Sequence, residues 1–209
     1  MPGLRETKKA ATKNALARAA AEIALTQGTD ELTVGAIASR AGVSTRTFHN
    51  YFASRETALI CFALSRVHSL AESFNALPDG MDTLDAVEEV VVTSLRNDGE
   101  KLNSLGALLR VGDILRILAP TVGEDRLDRI KAPVLANIAH RNPHLTEFEV
   151  VASLELVCCA AGCALETYYR MPEPRNVEDG VRLIREAFNM LRVGSNALHL
   201  PHGAQAESA

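Results

Sequence analysis

The sequence predicts an all-α protein, and three observations carry that expectation. Ala and Leu recur throughout the 209 residues, while hydrophobic residues make up 47%, aromatics only 4%, and Trp is absent. Apolar positions repeat at helical spacing, and no short β-branched run bounded by turn residues reads as a buried strand. Capping residues precede the periodic segments, and Gly or Pro follows them. The length suffices for a sizeable core in one or two compact units.

The first helix is expected over about 7–27, with Leu16, Ala20, Ile23 and Ala24 on one face. Gly28 stops it, because glycine tolerates the left-handed conformation found after helices. A short second helix, 34–40, is capped by the Thr33 hydroxyl, and Ala41-Gly42-Val43 turns the chain. A third begins at the Ser44 cap and ends near Tyr51-Phe52. A fourth, capped by Ser54 with Glu56 in its positive first turn, extends to about residue 76. Further helices are expected at roughly 82–97, 100–118, 122–140, 146–170 and 177–193. Pro133 should kink or break the 122–140 helix, since it lacks an amide donor. Thr146 and Glu149 have capping-box spacing at the start of the 146–170 helix.

Residues 33–59 read TVGAIASRAGVSTRTFHNYFASRETAL. Val34, Ile37 and Ala38 share an apolar face on the short helix, and Gly42 permits a tight turn. Phe48 and Phe52, four apart, share a buried face on the next helix. Thr45, Arg46, His49 and Asn50 then point the other way. A short helix anchored by aromatics and showing Arg, His, Asn and Thr outward has the format of a major-groove reader. Arg can bond guanine O6 and N7 together, and Asn can do the same for adenine N6 and N7.

The segment resembles the DNA-binding domain of the TetR (tetracycline-repressor-like) family of bacterial regulators. The resemblance rests on Ile37-Ala38-Ser39-Arg40-Ala41-Gly42-Val43-Ser44, Thr47-Phe48-His49-Asn50-Tyr51-Phe52 and Ser54-Arg55-Glu56-Thr57-Ala58-Leu59. Departures are Arg46 where the family often has Gly, His49 where Tyr is common, and Arg55 for Lys. By matching position, Thr33, Tyr51 and Arg55 would hold phosphates, while Ser44, Thr45, Arg46, Thr47, His49 and Asn50 would face bases or adjacent backbone. Lys8, Lys9 and Lys13 would add nonspecific attraction.

The resemblance implies a helix-turn-helix domain over 1–54, with a linking helix running to about 76. A helical effector-binding and dimerisation domain would occupy 55–200, and a disordered tail 201–209. It implies a homodimer on a palindromic double-stranded DNA operator, because one such module presents too little surface for tight specific binding. The last two helices would form the interface, through Leu154, Val157, Ala161, Val181, Ile184, Phe188 and Leu191. A small-molecule effector would release a repressor from its operator, activation being the alternative outcome. Leu109, Asp113 and Cys159 are the candidate pocket residues.

Charge and composition bear on other classes. Residues 1–66 hold nine Lys/Arg against five acids, whereas the remainder holds thirteen against twenty-one, as suits a polyanion-binding module on an acidic body. No signal peptide or uninterrupted apolar run of membrane-spanning length is read, so a cytoplasmic, reduced protein is expected. Cys159 and Cys163 are four apart and could share a metal with His140, which would make a thiol- or metal-responsive regulator. Nothing completes such a ligand set, so no metal or cofactor is expected. Glu88-Glu89, Glu124-Asp125 and His140/His144 do not form a converging catalytic arrangement, and an enzyme is not expected.

Overall fold

The structure, a computed structural model, describes residues 3–78, 80–98, 102, 104–118 and 124–197. Among the described residues every regular element is a helix. In chain order they are α1 (Leu4–Thr26), α2 (Val34–Arg40), α3 (Thr45–His49), α4 (Arg55–Asn75), α5 (Thr83–Asp98), α6 (Leu105–Ile117), α7 (Glu124–Arg141), α8 (Glu147–Tyr169) and α9 (Val177–Ala197). The tail expected over 201–209 lies outside the described residues.

Helix starts follow the cap chemistry. Thr33, Ser44, Ser54, Ser104 and Thr146 each accept a hydrogen bond from a backbone amide in the first turn of the helix that follows. Each thereby satisfies a donor that no intrahelical carbonyl can reach. Asp82 does the same for α5, its Oδ1 accepting from Leu84 N at 2.8 Å. Two departures from expectation concern length and continuity. The helix begun at Ser44 ends at His49 rather than at Tyr51-Phe52, although backbone bonds from Tyr51 N and Phe52 N to Phe48 O continue the turn. Meanwhile α7 runs through Pro133 without a break. Val134, Leu135 and Ile138 pack it against the start of α8, which compensates for the one bond proline cannot donate.

The first core joins α1, α2, α3 and the first half of α4 around Leu16, Ile23, Leu32, Ile37, Phe48 and Leu59, and it takes in Val111 and Leu115 from α6. It therefore does not stop at residue 54. A second core joins α5, α8 and α9 around Val92, Leu165, Ile184 and Phe188. Ion pairs fasten α5 to α9: Arg96 holds Glu178 with two bonds of 3.1 and 3.0 Å, and Arg192 reaches Asp85 and Glu88 at 2.5 and 2.7 Å.

This packing places part of the expected dimer interface within the chain's own cores. Val181, Ile184 and Phe188 are no more than 1% exposed, and Leu154 and Ala161 are buried too, all within the chain's own cores. An amphipathic stripe marks a buried face without saying whether the cover comes from the same chain, and here α5, α8 and α9 cover one another. Val157 and Leu191 are half-buried. The apolar residues left exposed on α8 and α9 are Phe148, Val151, Leu156, Met190 and Val193. By length and composition α8 could cross a membrane, although Glu155 and Glu166 interrupt its apolar run. Its partial burial against α9 and α6 and its exposed apolar stripe give that composition another use.

Candidate nucleic-acid interface

The site is built from α2, the turn and α3. Gly42 in the turn has φ +69°, a conformation only glycine adopts without strain, and Val43 N returns to Ala38 O at 2.9 Å to close it. Phe48, fully buried, and Phe52 anchor the back of α3 with ring centroids 5.7 Å apart. The His49 ring stands edge-on to Phe48 at 5.5 Å, so the outward histidine is positioned by the buried phenylalanine.

With its back buried, α3 leaves Thr45, Arg46, His49 and Asn50 exposed. None of these side chains is hydrogen-bonded or ion-paired to another described residue. A guanidinium, an imidazole and an amide with no internal hydrogen-bond partner make a surface suited to an external one. Ser44 and Thr47 have a double role. Ser44 Oγ accepts from Thr47 N at 3.1 Å and lies 2.9 Å from Thr47 Oγ1, so both hydroxyls first serve the start of α3. Thr33 Oγ1 likewise accepts from Ala36 N at 3.1 Å.

The remaining expected contacts divide. Lys8, Lys9 and Lys13 are exposed on α1, and none of the described side chains in its first three turns is buried. Tyr51 is half-buried and packs against the first core. Arg55 is engaged within the chain: Nη1 donates to the carbonyls of Thr29 and Leu32 at 3.3 and 2.8 Å, and Nε to Glu56 Oε1 at 2.8 Å. It thus staples the α1–α2 connection to the start of α4. Burial pushes the Glu56 carboxyl up, but hydrogen bonds from Arg55 and Ser54 outweigh it and hold its pKa below the ordinary value.

The three pocket candidates differ in their surroundings. Leu109 packs on the second core, Asp113 is exposed and pairs with Arg116 at 2.9 Å, and Cys159 is exposed on α8. None of them lines the principal cleft, which sequence reasoning missed. That cleft, of about 540 Å³, lies between α1, α6 and the end of α8, with Arg18, Glu22, Arg110, Tyr169 and Arg175 in its walls. Its residues come from four separate stretches of chain, and no spacing rule links them. Among the described residues no group of three metal-ligating side chains converges. Desolvation and the Glu155 carboxylate push the Cys158 thiol up, away from the reactive thiolate form.

Comparison with known proteins agrees with the geometry. Residues 16–59 match the family model of bacterial regulatory proteins, tetR family. Over 113 residues the chain is 36% identical to the HTH-type transcriptional regulator TcmR of Streptomyces glaucescens, a match covering 51% of this chain and 48% of that protein. The chain thus aligns with about half the length of that relative. The helix-turn-helix segment of this chain is thus similar to that of the tetR family of bacterial regulatory proteins.

Proposed function

We propose that the chain is a sequence-specific DNA-binding transcription repressor that acts in the cytoplasm as a homodimer and leaves a palindromic operator when a small-molecule effector binds. One observation carries the DNA-binding reading: α3 is fixed from behind by Phe48 while Thr45, Arg46, His49 and Asn50 stand outward without internal partners. Such a rod fits a major groove, where Arg and Asn read base edges. Lys8, Lys9, Lys13, Thr33 and Tyr51 serve the phosphate backbone, as their positions in the resemblance imply. Arg55 acts on DNA chiefly by holding the α1–α2 connection in place.

The homodimer reading draws support from the apolar residues that the fold leaves uncovered. Phe148, Val151 and Leu156 on α8 and Met190 and Val193 on α9 are all exposed. Exposed apolar side chains on two helices that pack against each other suit an association surface. Cys159, Gly162 and Cys163 are small, which lets facing helices approach closely. Repression rather than activation follows the commoner mode of the family.

Gel retardation with the intergenic DNA beside the chain's own coding sequence tests the reading. Retardation that resists competitor DNA and weakens with salt is expected. Equal retardation of random DNA of the same length would sink it.

A further inference from the structure

Helix α6 belongs to both cores of the molecule. Its first turns bury Leu105 with α5, α8 and α9, and Leu109 packs on the same group. Its second half places Val111 and Leu115, no more than 1% exposed, among the side chains of α1–α4. Apolar contact of this kind holds one helix against another but has no direction of its own. A fixed angle calls for a polar contact as well, because hydrogen bonds weaken steeply as they bend.

Arg110 makes that contact. It precedes Val111 on α6, and its Nη2 donates to Leu25 O at 2.8 Å, across 85 positions of sequence. Leu25 lies in the last turn of α1, where carbonyls have no intrahelical partner and form the negative end of the helix dipole. That turn has no basic residue of its own, so α6 supplies the cation. The one acid of α6, Asp113, pairs with Arg116 at 2.9 Å instead.

The bond falls just before the connection that leads into α2. Gly28, with φ +90°, turns the chain there, and Arg55 holds the same connection by the carbonyls of Thr29 and Leu32. Arg55 reaches it from α4, whose first half is part of the head core. Arg110 reaches it from α6, which is also rooted in the second core. The first bond therefore shapes the head, whereas the second ties the head to the body.

We propose that Arg110 is a positioning residue for DNA recognition: its bond to the end of α1 sets the angle at which the body carries the reading head, and with it the separation of the two α3 helices in a dimer. In this role Arg110 touches neither base nor phosphate and acts through α1. The inference rests on the dimeric-operator reading above and adds the contact that selects half-site spacing. Each base pair added between half-sites moves one of them by roughly 3.4 Å and turns it by about a tenth of a helical turn. A head fixed in angle accepts one such spacing, and a head freed in angle accepts several.

The test uses the full chain and duplexes with two inverted copies of the half-site that footprinting on the upstream DNA defines, their central spacing varied one base pair at a time. In competition gel retardation the parent is expected to prefer one spacing over its neighbours by about tenfold, the scale of one charge-assisted hydrogen bond. Arg110→Ala should flatten that profile while single-base changes in the half-site keep their effect. Arg110→Lys, which retains a charged donor, should restore the preferred spacing. Arg110 is exposed, so circular dichroism of both variants should match the parent. An unchanged spacing profile in Arg110→Ala, an equal loss at every spacing, no restoration by Arg110→Lys, or a parent without spacing preference each overturns the proposal. Retardation of the parent by the upstream DNA tests the regulator reading separately, so specific retardation with an unchanged Arg110→Ala profile removes the role of Arg110 alone.

Discussion

Arg46 and Arg55 belong to the same motif, yet their surroundings give them different work. Arg46 is exposed with no partner among the described residues, whereas Arg55 spends its donors on two backbone carbonyls and Glu56. Arg46→Ala is expected to cost about 1–3 kcal/mol of operator binding and to relax preference at one base pair, leaving random-DNA binding nearly unchanged. Competition gel shifts with single-base operator variants measure this. Arg55→Lys keeps the charge but loses the fork, so it should lower the unfolding temperature while hardly altering the salt slope of DNA binding. A phosphate-gripping Arg55 would show the reverse: stability kept, slope restored by Lys. Glu56 adds a pH signature. Its pKa is depressed on folding from an ordinary 4.5, so its contribution is complete above that value and fades as pH falls through the lower folded value. Glu56→Gln should flatten that acid-side decline in a urea-melt series. The outward face of α3 was legible in the motif because residue type and helical spacing specify it. The role of Arg55 was not, since its acceptors lie 26 and 23 residues earlier in the chain.

Among the elements, those whose ends are set locally agree best with expectation. Thr146 and Glu149 form their capping box, with Thr146 N donating to Glu149 Oε2 at 2.7 Å and Glu149 N to Thr146 Oγ1 at 3.3 Å. Those bonds from Thr146 hold the Glu149 carboxyl below its ordinary pKa. Removing the hydroxyl with Thr146→Ala should cost about 1 kcal/mol of stability. Gly42 has open space around the position of a Cβ but a φ of +69°. Gly42→Ala should therefore cost about 1–2 kcal/mol through backbone strain alone, measured by chemical denaturation. Gly106 is the opposite case, with ordinary backbone and a wall of Tyr169. The uninterrupted α7 shows where local rules stop: Pro133 obeys its own chemistry, but packing on α4 and α8 decides whether the helix continues. Arg141 reinforces that packing, donating to the carbonyls of Phe74, Leu77 and Pro78 at 3.1, 2.8 and 2.9 Å and so capping the end of α4.

At the scale of the molecule, α8 and α9 each have two apolar faces, and only one of them is the chain's own core. Phe188 is fully buried, while Met190, two residues on, is 71% exposed. Phe188→Ala should destabilise the fold by about 3–5 kcal/mol. Met190→Glu should leave helix content unchanged but convert a dimer to a monomer by analytical ultracentrifugation, with specific DNA retardation lost. A Met190→Glu protein that still sediments as a dimer would remove this face from the assembly. By pattern alone, the amino-acid order was enough for the helical class, the caps, the turn at Gly42 and the polar face of α3, because these depend on residues within one or two turns of each other. It was not enough to say which apolar stripe meets the chain itself, where Arg55 and Arg141 spend their donors, or that a cleft opens between α1, α6 and α8. Those depend on residues tens of positions apart being brought within bonding distance, and only the packing of one helix on another supplies that proximity.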